Sequence, residues 1–153
     1  MSASTFLETL EISRVMNAPV EKVFDAWTKP ELLAMWFGPE GFEVREVEAD
    51  CKPQGKYNIT IVSPDNNVIQ HYGEYLDVDK PNRIVFTWVL ENQACEGSKG
   101  QCATTLVEIT FTRQGDQTLL DLRHEKLPDQ SALDGHSFGW QSSLASLENL
   151  LSK

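Results

Sequence analysis

The sequence predicts an α+β fold in which a curved antiparallel β-sheet wraps around one long C-terminal helix. Three observations predict it. In the segment from about Gly135 to Leu151, Trp140, Leu144, Leu147 and Leu151 fall at i, i+4, i+7 and i+11, one face of an amphipathic helix of about four turns. From Glu43 onward the apolar period drops from 3.6 to 2 through a series of segments joined by short turns. No strand–helix–strand alternation and no internal repeat interrupts that series. The expected order is β-α-α-β-β-β-β-β-β-α.

Each element has its own warrant. Thr5 to Val15 reads as a first strand carrying Phe6, Leu10 and Ile12. Pro19 stands at or near the first position of a helix, where its missing N–H costs nothing, and Val20, Val23, Phe24 and Trp27 supply the apolar face. Lys29-Pro30 breaks that helix, because the residue before proline is pushed out of the α region. Glu31 to Met35 forms a second short helix, and Trp36-Phe37-Gly38-Pro39-Glu40-Gly41-Phe42 is an irregular loop with three aromatics. Val44 and Val47 mark the next strand, in imperfect alternation. After the Pro53-Gln54-Gly55 turn, Tyr57, Ile59 and Ile61 alternate with polar residues, and Pro64-Asp65-Asn66-Asn67 is a hairpin turn.

Val68 to Val78 is a strand with His71, Gly73 and Tyr75 on one face; its internal glycine marks a bulge or bend. Arg83 to Leu90 puts Ile84, Phe86 and Trp88 on one side, and Glu91 to Gln101 reads as a mobile, glycine-containing loop. Ala103 to Arg113, the Gln114-Gly115-Asp116 turn and Thr118 to Lys126 form a hairpin, with Leu120, Leu122 and His124 on one face. Leu127-Pro128-Asp129 leads into the last helix.

Bulk properties limit the function. At 153 residues a single domain over 1–153 is expected, burying roughly 70% of its unfolded surface, enough for a core and a modest cavity. The net charge is -10 and no Lys/Arg cluster is present, which disfavours nucleic acid and anionic membrane surfaces as partners. Cys51, Cys95 and Cys102 are odd in number and loosely spaced, so a disulfide framework is not expected, although Cys95 and Cys102 could pair under oxidation. No zinc-ligand pattern, phosphate loop, dinucleotide fingerprint or nucleophile elbow is present, so no metal and no cofactor is expected. The N-terminus lacks a basic start followed by an apolar run, and no run approaches a membrane span, so a cytoplasmic location is expected.

Several stretches together resemble the START-like, or SRPBCC, superfamily of helix-grip folds. They are Asn17 to Thr28, Trp36 to Phe42, Gly55-Lys56-Tyr57, Gly73-Glu74-Tyr75, Pro81 to Trp88, Thr118 to His124 and Gly139-Trp140. Within that superfamily the chain resembles the branch named after the activator of the ninety-kilodalton heat-shock protein ATPase, from about Leu10 to the C-terminus. The resemblance implies a curved sheet gripping the C-terminal helix, two short helices closing one end, and often a largely apolar cavity. Lipid carriers, receptors, cyclases and co-chaperones share this fold, so the fold alone leaves the function open.

If the sheet and helix faces enclose a hollow, its candidate lining residues are Trp36, Phe37, Tyr57, His71, Tyr75, Phe86, Trp88, His124, Trp140 and Leu144. Each aromatic could equally be core packing. His71 and His124 could hydrogen-bond a ligand or act as acid or base; a satisfied core histidine is the commoner outcome. His136, one turn before Trp140, could simply cap the helix start. Glu108 is expected to face solvent; if buried, it or Glu74 would point to chemistry.

Three readings follow, in this order. The first is a protein that binds a small hydrophobic or aromatic molecule between sheet and helix, as monomer or homodimer. The second is a protein-interaction module resembling the co-chaperone, disfavoured because the co-chaperone carries a further N-terminal domain that 153 residues cannot accommodate. The third is an enzyme of cyclase, hydratase or hydrolase type on a hydrophobic substrate, with no assignable catalytic residue.

Overall fold

The computed structural model describes residues 8–38, 40–90 and 103–152. The element order is β1 (Glu8–Met16), α1 (Val20–Thr28), α2 (Pro30–Trp36), β2 (Glu43–Ala49), β3 (Lys56–Val62), β4 (Val68–Asp79), β5 (Arg83–Leu90), β6 (Ala103–Gln114), β7 (Gln117–Leu127) and α3 (Gln130–Leu151). The strands form an antiparallel sheet in the order β1-β7-β6-β5-β4-β3-β2. This is the α+β architecture expected from the period change at Glu43. The expected loop Glu91–Gln101, the possible Cys95–Cys102 pair and the start of the first strand before Glu8 lie outside the described residues. Among those described, no helix is long and apolar enough to cross a membrane.

Alternation determines what each strand buries. On the concave face, register aligns Leu10, His124, Val107, Phe86 and Tyr75 in one row across five strands. The adjacent row is Ile12, Leu122, Ile109 and Ile84. All nine are buried. Glu108 lies on the opposite face, half-buried, accepting from Arg83 Nε at 2.6 Å. The β6–β7 hairpin closes through Gly115 and Asp116, with Gly115 at φ +65°, the left-handed conformation that a two-residue hairpin loop requires.

β4 serves two neighbours in turn. Val68 to Glu74 pair with β3, whereas Tyr75 to Asp79 pair with β5 after a register shift between Tyr75 and Asp77. Gly73 explains the change. A Cβ there would lie 2.1 Å from the Thr87 carbonyl oxygen, so only glycine fits. Side chains replace the missing ladder bonds: Tyr57 Oη donates to the Thr87 carbonyl at 2.6 Å, and Glu74 N–H donates to Thr87 Oγ1 at 2.8 Å. Beyond Phe86 the β4–β5 ladder gives way to these side-chain contacts, and His71 of β4 lies against Trp88 of β5.

The helices cover the concave face. Val20, Val23, Phe24 and Trp27 are buried as their spacing predicts. Lys29 is extended between α1 and α2, with Pro30 at the first turn of α2. Trp36 Nε1 donates to the Ala26 carbonyl at 2.9 Å and ties the two short helices together. In α3, Trp140, Leu144, Leu147 and Leu151 are buried; fully burying each leucine contributes roughly 1.5–3 kcal/mol.

Two expectations about α3 need correction. The helix begins at Gln130, not near Gly135, because Asp129 caps it by accepting from Ala132 N–H at 2.8 Å. Ser143, outside the expected apolar face of Trp140, Leu144, Leu147 and Leu151, is also buried, and its Oγ accepts from Gly38 N–H at 3.1 Å. Neighbouring Ser142 Oγ accepts from Glu40 N–H at 2.7 Å. These two serines moor the aromatic loop after α2 against α3.

Candidate functional site

A cleft of about 490 Å³ opens between the sheet and the first half of α3. That is within the usual range for small-molecule sites, roughly 300–1,000 Å³. Its walls come from three places. The loop after α2 supplies Phe37, Gly38 and Phe42; the sheet supplies Ile61, Ile69, His71 and Trp88; α3 supplies residues from Ser131 to Ser143, Trp140 among them.

Four rings close around one another. His71 stacks on Trp88 with ring centroids 4.4 Å apart and planes 23° apart. Trp88 meets Trp140 at 5.0 Å, and Phe37 touches His71, Trp88 and Trp140 at 5.7, 6.1 and 6.3 Å.

The sequence-nominated residues divide by position. Phe37, His71, Trp88 and Trp140 line the cleft. Tyr57, Tyr75 and Phe86 surround a separate void of about 20 Å³ beneath α1 and α2, room for about one water. Trp27 borders that void, and its buried indole N–H has no partner among the described residues. Trp36 borders an outer groove of about 840 Å³ between α2 and α3, where Met35 and Phe138 are exposed. His124 and Leu144 are fully buried and do not line the cleft. The cleft also uses Phe42, Ile61, Ile69, Ser143 and His136, which the sequence did not nominate. The alternation of Ile61 and Ile69 and the three-aromatic loop were the available signals.

His124 and His136 are fully occupied, and the hydrogen bonds reveal how. Trp140 Nε1–H can only donate, so His124 Nδ1 accepts, at 3.1 Å. His124 Nε2–H then donates to Thr105 Oγ1 at 2.7 Å, and the Thr105 hydroxyl donates to the Trp88 carbonyl at 2.7 Å. His136 carries its proton on Nδ1, donating to the Ala132 carbonyl at 2.8 Å, and its Nε2 accepts from Trp88 Nε1–H at 3.3 Å. His136 thus lies inside the helix, braced against the sheet, and does not cap the helix start.

Both bonding patterns require neutral rings, and the surroundings agree. Burial, then the proximity of His136, lowers His124 to about 3 and His71 to about 4 from the ordinary 6.5. Burial also lowers His136, against the pull of the Ala132 carbonyl. On the void side, burial raises the Tyr57 hydroxyl well above its ordinary value. Burial and then the Asp50 charge raise the Cys51 thiol to about 11, so it stays a thiol.

A pH dependence follows. The unfolded chain's histidines titrate near 6.5, above their folded values, so the unfolded state takes up protons first as pH falls. Stability should be full above about pH 6.5 and decline toward pH 4, by up to about 1.4 kcal/mol per pH unit for each histidine. Urea titrations at about pH 7 and about pH 5, where most carboxylates remain ionised, measure this. Equal midpoints at the two pH values would contradict it.

The comparisons with known proteins bear on this geometry. A family model described as Activator of Hsp90 ATPase homolog 1-like protein matches residues 17–152. The chain belongs to this family. A solved structure from Chromobacterium violaceum is 27% identical with TM-score 0.83, covering 95% of this chain and 97% of that one. One from Staphylococcus epidermidis is 26% identical with TM-score 0.76, covering 99% and 94%. An AHSA1 protein from Silicibacter pomeroyi is 24% identical with TM-score 0.82, covering 95% and 98%, and shows the shared fold. No curated protein matches the chain. Membership agrees with the resemblance read from about Leu10 to the C-terminus, and the family's helix-grip fold is the one described above.

Proposed function

We propose that this protein binds a small hydrophobic or aromatic molecule in the cleft between the sheet and α3. The observation that carries the reading is the cleft itself, about 490 Å³ walled by Phe37, Trp88 and Trp140 with few polar groups facing in. Membership of a fold family whose members commonly bind ligands supports it. The hydrogen bonding also favours binding over catalysis. His124 and His136 each spend both ring nitrogens internally, so neither can move a proton without breaking the packing around Trp88 and Trp140.

The test is a panel of fused-ring aromatic compounds read by thermal shift and native mass spectrometry. A ligand at 100 times its Kd stabilises the folded state by about 2.7 kcal/mol. Gly135→Leu is the matching variant. Gly135 lines the cleft, and a Cβ there meets nothing within 4 Å. The variant should fold at least as stably as the parent, since glycine inside a helix costs roughly 0.5–1 kcal/mol, yet bind every hit more weakly. If no compound stabilises the parent, or if Gly135→Leu binds undiminished, the ligand does not occupy this cleft.

A further inference from the structure

The cleft contains an asymmetry in its hydrogen bonding and its charge. Nearly every polar side chain at its wall is already committed. The indoles of Trp88 and Trp140 donate to His136 and His124, and Ser143 Oγ accepts from Gly38. Asp129 caps Ala132 N–H, and Ser131 sits exposed at the rim. His71 differs. It lies on the concave face opposite Ile59 with one side of its ring on Trp88, and no hydrogen bond from any described residue reaches either ring nitrogen. A neutral imidazole offers one donor and one acceptor, and here both are unspent.

Charge narrows the occupant further. Among the described residues no lysine or arginine lines the cleft, and Asp129 is the sole charged one there, in a chain of net charge -10. The first turn of α3 would ordinarily attract an anion, but the Asp129 carboxylate already holds that position. A carboxylate or phosphate entering the cleft would lose its hydration without a counter-charge and would face Asp129.

We infer that His71 is the polar anchor of the cleft and that the molecule it positions is an uncharged aromatic compound bearing a hydroxyl or similar hydrogen-bonding group, not an anionic amphiphile. This rests on the cleft being a ligand site. His71 stacks against the Trp88 face and leaves its ring edge for the ligand's polar group, while Phe37, Trp88 and Trp140 hold the flat body.

Three matched probes test it: naphthalene, 2-naphthol and 2-naphthoate, each titrated by calorimetry against the parent, His71→Phe and His71→Gln. One net hydrogen bond is worth about 1 kcal/mol, so 2-naphthol should bind the parent roughly 5-fold more tightly than naphthalene. The desolvated carboxylate of 2-naphthoate should make it at least about 10-fold weaker than 2-naphthol. His71→Phe should keep naphthalene binding and erase the preference for 2-naphthol, and His71→Gln, which retains a donor and an acceptor, should restore part of it. Binding of 2-naphthoate as tightly as 2-naphthol would overturn the charge assignment. A naphthol preference that survives in His71→Phe, or naphthalene binding with no such preference in the parent, would overturn the role of His71 while leaving the cleft as the site. If none of the three binds the parent, the cleft reading and this inference fall together.

Discussion

Trp140→Ala should lose about 3–5 kcal/mol of folding stability, the range for truncating a buried tryptophan, out of a typical total of roughly 5–15 kcal/mol. The indole is 4% exposed and packs between Trp27, Trp88 and Phe37, so its removal leaves a void bounded by other large rings. It also strands His124 Nδ1, a buried acceptor that loses its N–H donor. An acceptor left unpaired in this way costs about 1–3 kcal/mol, and that cost overlaps the cavity cost, since one group causes both. Trp140→Phe separates the two: it keeps most of the ring and loses the donor, and should cost only about 1–3 kcal/mol. Phe138→Ala is the control. Phe138 is two residues away on the same helix but 72% exposed, and its replacement should be nearly neutral. Urea midpoints of the three variants measure the series. A Trp140→Ala protein as stable as Phe138→Ala would mean that α3 does not anchor the core.

Gly73→Ala should be about as severe, at about 3 kcal/mol or more, for a different reason. The new methyl would sit 2.1 Å from a backbone oxygen, that of Thr87, which cannot turn away like a side chain because Tyr57 holds it at 2.6 Å. Relief requires β4 and β5 to separate further, beyond the 1–3 kcal/mol usual for overpacking. The same substitution at two other glycines should give different results. At Gly115 nothing lies within 4 Å, but φ is +65°, so alanine pays only the left-handed penalty of about 1–2 kcal/mol. At Gly135 there is neither obstruction nor positive φ, and alanine should stabilise the helix by about 0.5–1 kcal/mol. Chemical denaturation of the three proteins should rank them Gly135→Ala, Gly115→Ala, Gly73→Ala from most to least stable; any other order would contradict this account of the β4 bend.

Much of the fold was legible because its signals are local. Val20, Val23, Phe24 and Trp27 specify α1 by spacing alone, and the alternation through Tyr57, Ile59 and Ile61 predicts which β3 side chains turn inward. The start of α3 was not legible from periodicity, because its first two residues, Gln130 and Ser131, are polar; the cap at Asp129 was the signal to use. The site was legible only in part. Strand parity predicts that Tyr57, Tyr75, Phe86, Trp88 and His71 share a face, but not that Trp88 and His71 border the cleft while Tyr57, Tyr75 and Phe86 surround a separate small void. Three of the four groups that occupy the His124 and His136 ring nitrogens stand 16, 19 and 48 residues away in the chain, where no local pattern announces them; only the Ala132 carbonyl is local.

The divided allegiance of β4 has a consequence for how the molecule breathes. β2, β3 and the first half of β4 form a three-stranded flap paired strand to strand, with one irregularity in β2 between Val44 and Glu46, and at Thr87 two side-chain bonds stand in for backbone pairing to β5. Such a flap can open as a cooperative unit at lower free energy than the whole chain needs to unfold. Its amide protons should therefore exchange with solvent sooner than those of β1, β5, β6 and β7, and a molecule wedged between Ile69, His71 and Trp88 should slow that exchange by bracing the flap against β5.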